Sequence, residues 1–250
     1  MTARLQPEEV EAEARRLVGV AAGAGVELRL LGGLAVRAHC APGALGPTRT
    51  YSDIDVVTDT GLAAVEPVMR EARYEPFTRF NALHGHSRAI FYSDEERLKV
   101  DVFLGSFSMC HTVPLRDRLD ADMPTVPLAE LLLTKLQIVE LNEKDMLDLG
   151  ALLAEHPVGS GDEETIDGDR VAAICSADWG LEHTIERNLE RLGGEASRLR
   201  GADADVVRER IEHLREQIAS HPKTRKWRMR ALVGERMPWF EEPDEVADEH

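Results

Sequence analysis

Asp53 and Asp55 flank a single isoleucine in the run Ser52-Asp53-Ile54-Asp55-Val56-Val57. The β-branched residues favour a strand, along which side chains alternate between faces. Both carboxylates then leave the same side, one strand step apart, while Ile54 and Val56 face a core. Two like charges so placed repel, and a divalent cation between them removes that cost. Hard carboxylate oxygens suit Mg²⁺ or Mn²⁺. In residues 98–104, Val100, Val102 and Leu104 alternate with Lys99, Asp101 and Phe103. Asp101 therefore faces away from the apolar side of its strand.

Upstream, the apolar run Val26 to Leu31 meets the pair Gly32-Gly33, and a short helical pattern follows over residues 34–39. Between strand and helix, glycine backbone approaches a ligand closely, and the first free N–H groups of the helix favour phosphate. A Pro/Gly-rich loop over residues 41–47 and the segment Arg49-Thr50-Tyr51-Ser52 lead into the Asp pair.

Gly-Gly after a strand, a helix, a basic-polar lead-in and Asp-x-Asp on the next strand resemble the signature of the DNA polymerase β-type nucleotidyltransferase superfamily. The long gap between the glycines and the aspartates, and the wording Arg49-Thr50-Tyr51-Ser52-Asp53-Ile54-Asp55, are similar to its AbiEii/MenT-like branch; aminoglycoside and lincosamide nucleotidyltransferases share a related pattern. The resemblance covers residues 26–155 and implies a third carboxylate on a neighbouring strand, which Asp101 matches. Asp53, Asp55 and Asp101 would then be the catalytic and metal-ligating residues. Gly32, Gly33, Arg49 and Ser52 would meet the nucleotide, with Arg49 either neutralising charge near the triphosphate or only orienting the loop. Lys135-Leu136 and Lys144-Asp145-x-x-Asp148-Leu149 resemble helical motifs that follow the catalytic core in this branch. There a lysine contacts phosphate and a later aspartate completes the site, roles that fall to Lys135 and to Asp145 rather than Asp148. Lys135 and the Lys144-Asp145 pair also read as a snorkelling core lysine and a helix cap. The implied reaction moves an NMP from an NTP to a hydroxyl acceptor and releases pyrophosphate. The acceptor would be tRNA or protein, in a toxin with a partner antitoxin, or a small hydroxylated molecule. A non-catalytic nucleotide- or partner-binding module is the alternative of another class. The branch usually has a larger C-terminal body than the one following Pro157.

The totals bound these readings. The chain has 250 residues, 43% hydrophobic and 30% charged, with a formal net charge of -16. That length supports a substantial core in one large or two small domains. The acid excess argues against general nucleic-acid affinity, which needs clustered Lys and Arg. One such cluster exists, residues 223–230 (KTRKWRMR), whose alternation with Trp227 suits RNA phosphate and base stacking, or a helix with Trp227 packed and a solvated basic side. The three cysteines show neither metal nor disulfide spacing. With no signal peptide and no apolar run near the length of a membrane span, a cytoplasmic protein is expected. His84-Gly85-His86 lacks a third ligand and sits in an expected loop. No Gly-x-Ser-x-Gly or Gly-x-x-x-x-Gly-Lys motif occurs.

The positioning elements follow from periodicity. A helix is expected over residues 6–19 and another over 62–73, then strands over 74–80, 88–92 and 98–104 with a turn at 93–96. Residues 127–155 read as two helices separated near Asn142-Glu143. The fold class is α+β, a nucleotidyltransferase-type mixed sheet flanked by helices and followed by a helical C-terminal region. The expected organisation is a core over residues 1–125, a helical extension over 126–157, an acidic Gly-rich linker over 158–170, a helical region over 171–240 and a disordered acidic tail over 241–250.

Overall fold

A computed structural model describes residues 5–41, 43–45, 50–93, 98–199 and 203–242. The loop residue Arg49, the residues 94–96 of the expected turn and residues 243–250 of the acidic tail lie outside the described residues. The chain divides into two compact units, Met1–Phe107 with Pro114–Leu131, and Ser108–Val113 with Leu132–His250.

The first unit opens with α1 (Pro7–Gly23), whose Gln6/Glu9 capping box and first-turn glutamates satisfy the free N–H groups. Then come β1 (Arg29–Leu30), α2 (Gly32–His39), β2 (Asp53–Thr58), α3 (Leu62–Glu71), β3 (Tyr74–Pro76), α4 (Thr78–His84), β4 (Arg88–Ser93) and β5 (Lys99–Leu104). The sheet order is β1-β2-β5-β4-β3. β2 and β5 run parallel, and the remaining neighbours are antiparallel, giving the expected mixed sheet flanked by helices. Ile54, Val56, Val100 and Val102 are fully buried, as the alternating pattern requires.

The strand expected over residues 74–80 is corrected. β3 stops at Pro76, which has no N–H to continue a ladder. Phe77 then donates its N–H to the Ile90 carbonyl, and the Asn81 amide bonds both the N–H and the carbonyl of Ile90. With its backbone partners met by a side chain, the segment turns into α4. The loop expected around His84-Gly85-His86 holds for Gly85 and His86, which lie in the turn before β4, while His84 closes α4 and stacks on Phe80 at 4.5 Å.

β6 (Ser106–Ser108) and β7 (Thr112–Pro114) follow, then α5 (Leu128–Leu136), within which the division into units falls. In the second unit, α6 (Glu143–Glu155) starts on an Asn142/Asp145 capping box. The segment read from sequence as a linker carries a parallel pair, β8 (Val158–Gly159) with β9 (Ile166–Asp167), and α7 (Gly168–Ala177) begins directly after it. α8 (Trp179–Glu195), α9 (Ala204–Ser220) and the short α10 (Arg225–Ala231) complete the helical region. Ile185, Leu189, Leu192, Leu214 and Ile218 are fully buried in its core.

Candidate metal centre

The parallel pairing of β2 with β5 sets Asp55 opposite Asp101 and Asp53 opposite Lys99. Paired residues share a sheet face, so the three carboxylates converge without any loop to position them. One ligand oxygen each from Asp53, Asp55 and Asp101 lies within 4.8 Å of the others. Asp53 and Asp55 are half-buried, whereas Asp101 is 1% exposed. A trio of converging hard oxygens fits a divalent cation of the Mg²⁺ or Mn²⁺ type.

Gly32 explains how the α2 N-terminus approaches this cluster. Its φ is +61°, and a Cβ there would collide with the Asp55 carboxylate. The backbones are also tied, Leu31 N–H donating to the Asp55 carbonyl at 2.8 Å. Leu31 is extended, and no side chain caps the helix. The N-terminus of α2 therefore presents backbone N–H groups beside Asp55. Gly33, its second residue, is half-exposed, and Ser52 is exposed immediately before β2.

Two cations hold the third carboxylate. Arg88 Nε and Nη2 both donate to Asp101 Oδ1, at 2.9 and 2.7 Å. Lys99 Nζ lies 2.9 Å from Asp101 Oδ2. The Arg88 guanidinium is itself placed over the Phe80 and Phe103 rings, at 5.7 and 5.3 Å. Burial works against the Lys99 ammonium, but the Asp101 charge and hydrogen bond and the Asp53 charge prevail and raise its pKa. Arg88 had no part in the sequence reading. Its signal was parity: Ile90 pairs with Asp101, and Arg88, two residues earlier, pairs with Phe103 on the same face.

Lys135, Asp145 and Asp148 form a cluster of their own in the second unit. Lys135 Nζ lies 3.2 Å from Asp145 Oδ1 and 2.9 Å from Asp148 Oδ2, with the Asp148 side chain fully buried. Burial disfavours the Lys135 ammonium, yet the charges of Asp148 and Asp145 prevail and raise its pKa. Asp145 also closes the capping box of α6 through the Asn142 N–H. The Lys135 ammonium has three N–H donors, and these two carboxylates take two of them.

No protein-family model matches the chain, and no curated protein matches it in sequence. Solved structures resemble it in shape. The lincomycin-bound lincosamide antibiotic adenylyltransferase LnuA is 18% identical with a TM-score of 0.39, over 56% of this chain and 93% of that one. The antibiotic-resistance factor ANT(2'')-Ia is 12% identical with a TM-score of 0.40, over 92% and 98%. An antigenic nucleotidyltransferase-like protein from Paracoccidioides brasiliensis is 13% identical with a TM-score of 0.43, over 89% and 97%. These are distant likenesses, and the chemistry of the site rests on its own residues. Among the described residues, no helix is long and apolar enough to cross a membrane.

Proposed function

We propose that the chain is a metal-dependent nucleotidyltransferase that moves an NMP from an NTP to a hydroxyl acceptor. The observation that carries this reading is the convergence of Asp53, Asp55 and Asp101 beside the glycine-opened start of α2. Asp53, Asp55 and Asp101 would hold Mg²⁺ or Mn²⁺. When bound there, the metal neutralises triphosphate charge and polarises the reacting phosphoryl group.

The remaining work belongs to the chain. The N–H groups of Gly32 and Gly33 offer donors to phosphate oxygens, made accessible by the missing Cβ at Gly32. Ser52 extends the polar approach to the Asp pair, and the resemblance alone gives Arg49 a role in neutralising triphosphate charge or in orienting its loop. Asp101 Oδ1 already accepts two N–H bonds and Oδ2 faces an ammonium, so we assign Asp101 to holding the metal rather than to taking the acceptor's proton. The resemblance supports Lys135 as a phosphate contact, through the donor its two carboxylate partners leave, and Asp145 as the later aspartate.

The resemblance to the AbiEii/MenT-like branch supports tRNA or protein as acceptor and a partner antitoxin, and the three scattered cysteines support a reducing, cytoplasmic setting. The related antibiotic-modifying pattern supports a small hydroxylated acceptor. Nucleotide titration with and without Mg²⁺, followed by incubation of labelled NTPs with total tRNA and an aminoglycoside panel, tests the reading. Metal-dependent binding with label on an acceptor upholds it. Metal-independent binding without transfer replaces it with a nucleotide-binding module.

A further inference from the structure

All three tryptophans of the chain, Trp179, Trp227 and Trp239, line one cleft of about 430 Å³ in the second unit. The start of α8, the exposed side of α10 and the segment at Pro238-Trp239 enclose it. That volume lies within the range of small-ligand sites.

The cleft is preformed by specific bonds. Asp178 caps α8 by accepting from the N–H groups of Gly180 and Leu181 at 2.8 and 3.1 Å. A Cβ at Gly180 would collide with the Trp239 carbonyl, so glycine there lets the C-terminal segment close on the helix start. Thr224 caps α10 and donates its own N–H to the Ser176 carbonyl at 3.0 Å. Arg230 donates to the carbonyls of Gly234, Met237 and Pro238 at 2.7, 3.0 and 3.1 Å, with its guanidinium 4.8 Å from the Trp179 ring centroid. His183 stacks on Trp179 at 4.8 Å and meets Trp239 edge-on at 5.4 Å.

The charge balance gives the ligand its sign. Lys223 is committed to Glu182 at 2.6 Å, and Arg230 to carbonyl oxygens. Arg225, Lys226 and Arg228 are exposed and make no ion pair among the described residues, and Lys226 lines the cleft. Asp178 is the sole acid in the lining, and its Oδ1 accepts both helix N–H groups, which ties that oxygen to the start of α8. In a chain of net charge -16, this is a local concentration of free positive charge beside indole surfaces.

We propose that this cleft binds an unpaired nucleotide of single-stranded RNA, the base against Trp227 and Trp239 and flanking phosphates on Lys226, Arg225 and Arg228. Indole faces take any base by stacking, and free cations take the backbone. A duplex keeps its bases stacked on one another and offers none to the cleft. As a binding site this stands apart from the transfer chemistry proposed above.

Because every tryptophan of the chain borders the cleft, intrinsic fluorescence reports on it directly. The experiment titrates the full chain with a single-stranded RNA of roughly ten nucleotides, with the same sequence as a duplex, and with a nucleoside monophosphate. The expected result is saturable quenching by the single strand, at least about tenfold weaker binding of the duplex and the mononucleotide, and affinity falling steeply with salt. The double variant K226E/R228E, at exposed positions and checked by circular dichroism, should weaken the single strand at least about tenfold. Absence of quenching overturns the proposal, as does binding indifferent to salt and to K226E/R228E, or equal binding of the mononucleotide. Quenching by an acidic peptide but not by RNA would make the cleft a protein-docking site instead. Asp53→Asn separates the two readings, because it should abolish transfer and leave RNA quenching unchanged.

Discussion

The Cα of Gly32 stands against the carboxylate of Asp55, so close that no side chain fits between them. Gly32 also holds a φ of +61°, which an L residue adopts only with strain. Gly32→Ala should therefore cost about 1–2 kcal/mol in stability from the backbone. It should also displace the carboxylate and lower nucleotidyl transfer about 100-fold. Urea denaturation and initial rates check both effects. A full rate in a stable Gly32→Ala variant would remove the glycine from the site.

Arg88 holds the buried Asp101 carboxylate in place through two N–H bonds to one oxygen. Arg88→Met leaves that carboxylate with Lys99 alone and should destabilise the first unit by about 3 kcal/mol. Arg88→Lys keeps the charge but loses the two-nitrogen contact and the ring packing, so it should fall between the parent and Arg88→Met in thermal melts. An Arg88→Met protein as stable as the parent would contradict this account.

Lys135 neutralises two buried carboxylates. Lys135→Met should cost about 3–5 kcal/mol by removing the ammonium that lies between the buried carboxylates of Asp145 and Asp148. The triple variant K135M/D145N/D148N should recover most of that loss, because the buried charges go together. Chemical denaturation of the two variants distinguishes this structural role from one confined to catalysis.

His111 gives a pH dependence of known sign. Burial pushes its pKa below the ordinary 6.5, against a weaker opposing pull from Asp178. The unfolded chain then binds a proton more readily than the folded one, so stability falls as pH drops through 6.5 toward the lower folded value. The neutral ring is held against the Thr184 hydroxyl at 2.8 Å. Melting temperature should drop between about pH 7.5 and 5.5, and His111→Gln should flatten that part of the profile.

Much of the site was legible because period-two alternation assigns faces directly. Asp53 and Asp55 share a face by spacing, and Asp101 lies opposite its own strand's Val100 and Val102. Strand pairing was not legible, so neither was Arg88, whose contact with Asp101 depends on the register of β4 against β5. The strand expected over residues 74–80 failed for a related reason. Asn81 supplies a strand-like partner to Ile90, which no local pattern announces. The short pair β8 and β9 escaped notice because Gly and acidic residues dominate the composition around two two-residue strands. The tryptophan cleft is assembled from residues 60 positions apart in sequence, Trp179 to Trp239, and only KTRKWRMR hinted at it.

The central claim is that Asp53, Asp55 and Asp101 form one metal-dependent catalytic site. The most direct measurement is transfer of α-labelled nucleotide by the parent and by Asp53→Asn, Asp55→Asn and Asp101→Asn, each with and without Mn²⁺ or Mg²⁺. The account predicts metal-dependent transfer by the parent and none above background in any folded variant. Transfer that survives in folded Asp53→Asn, or that is indifferent to the metal, would contradict it.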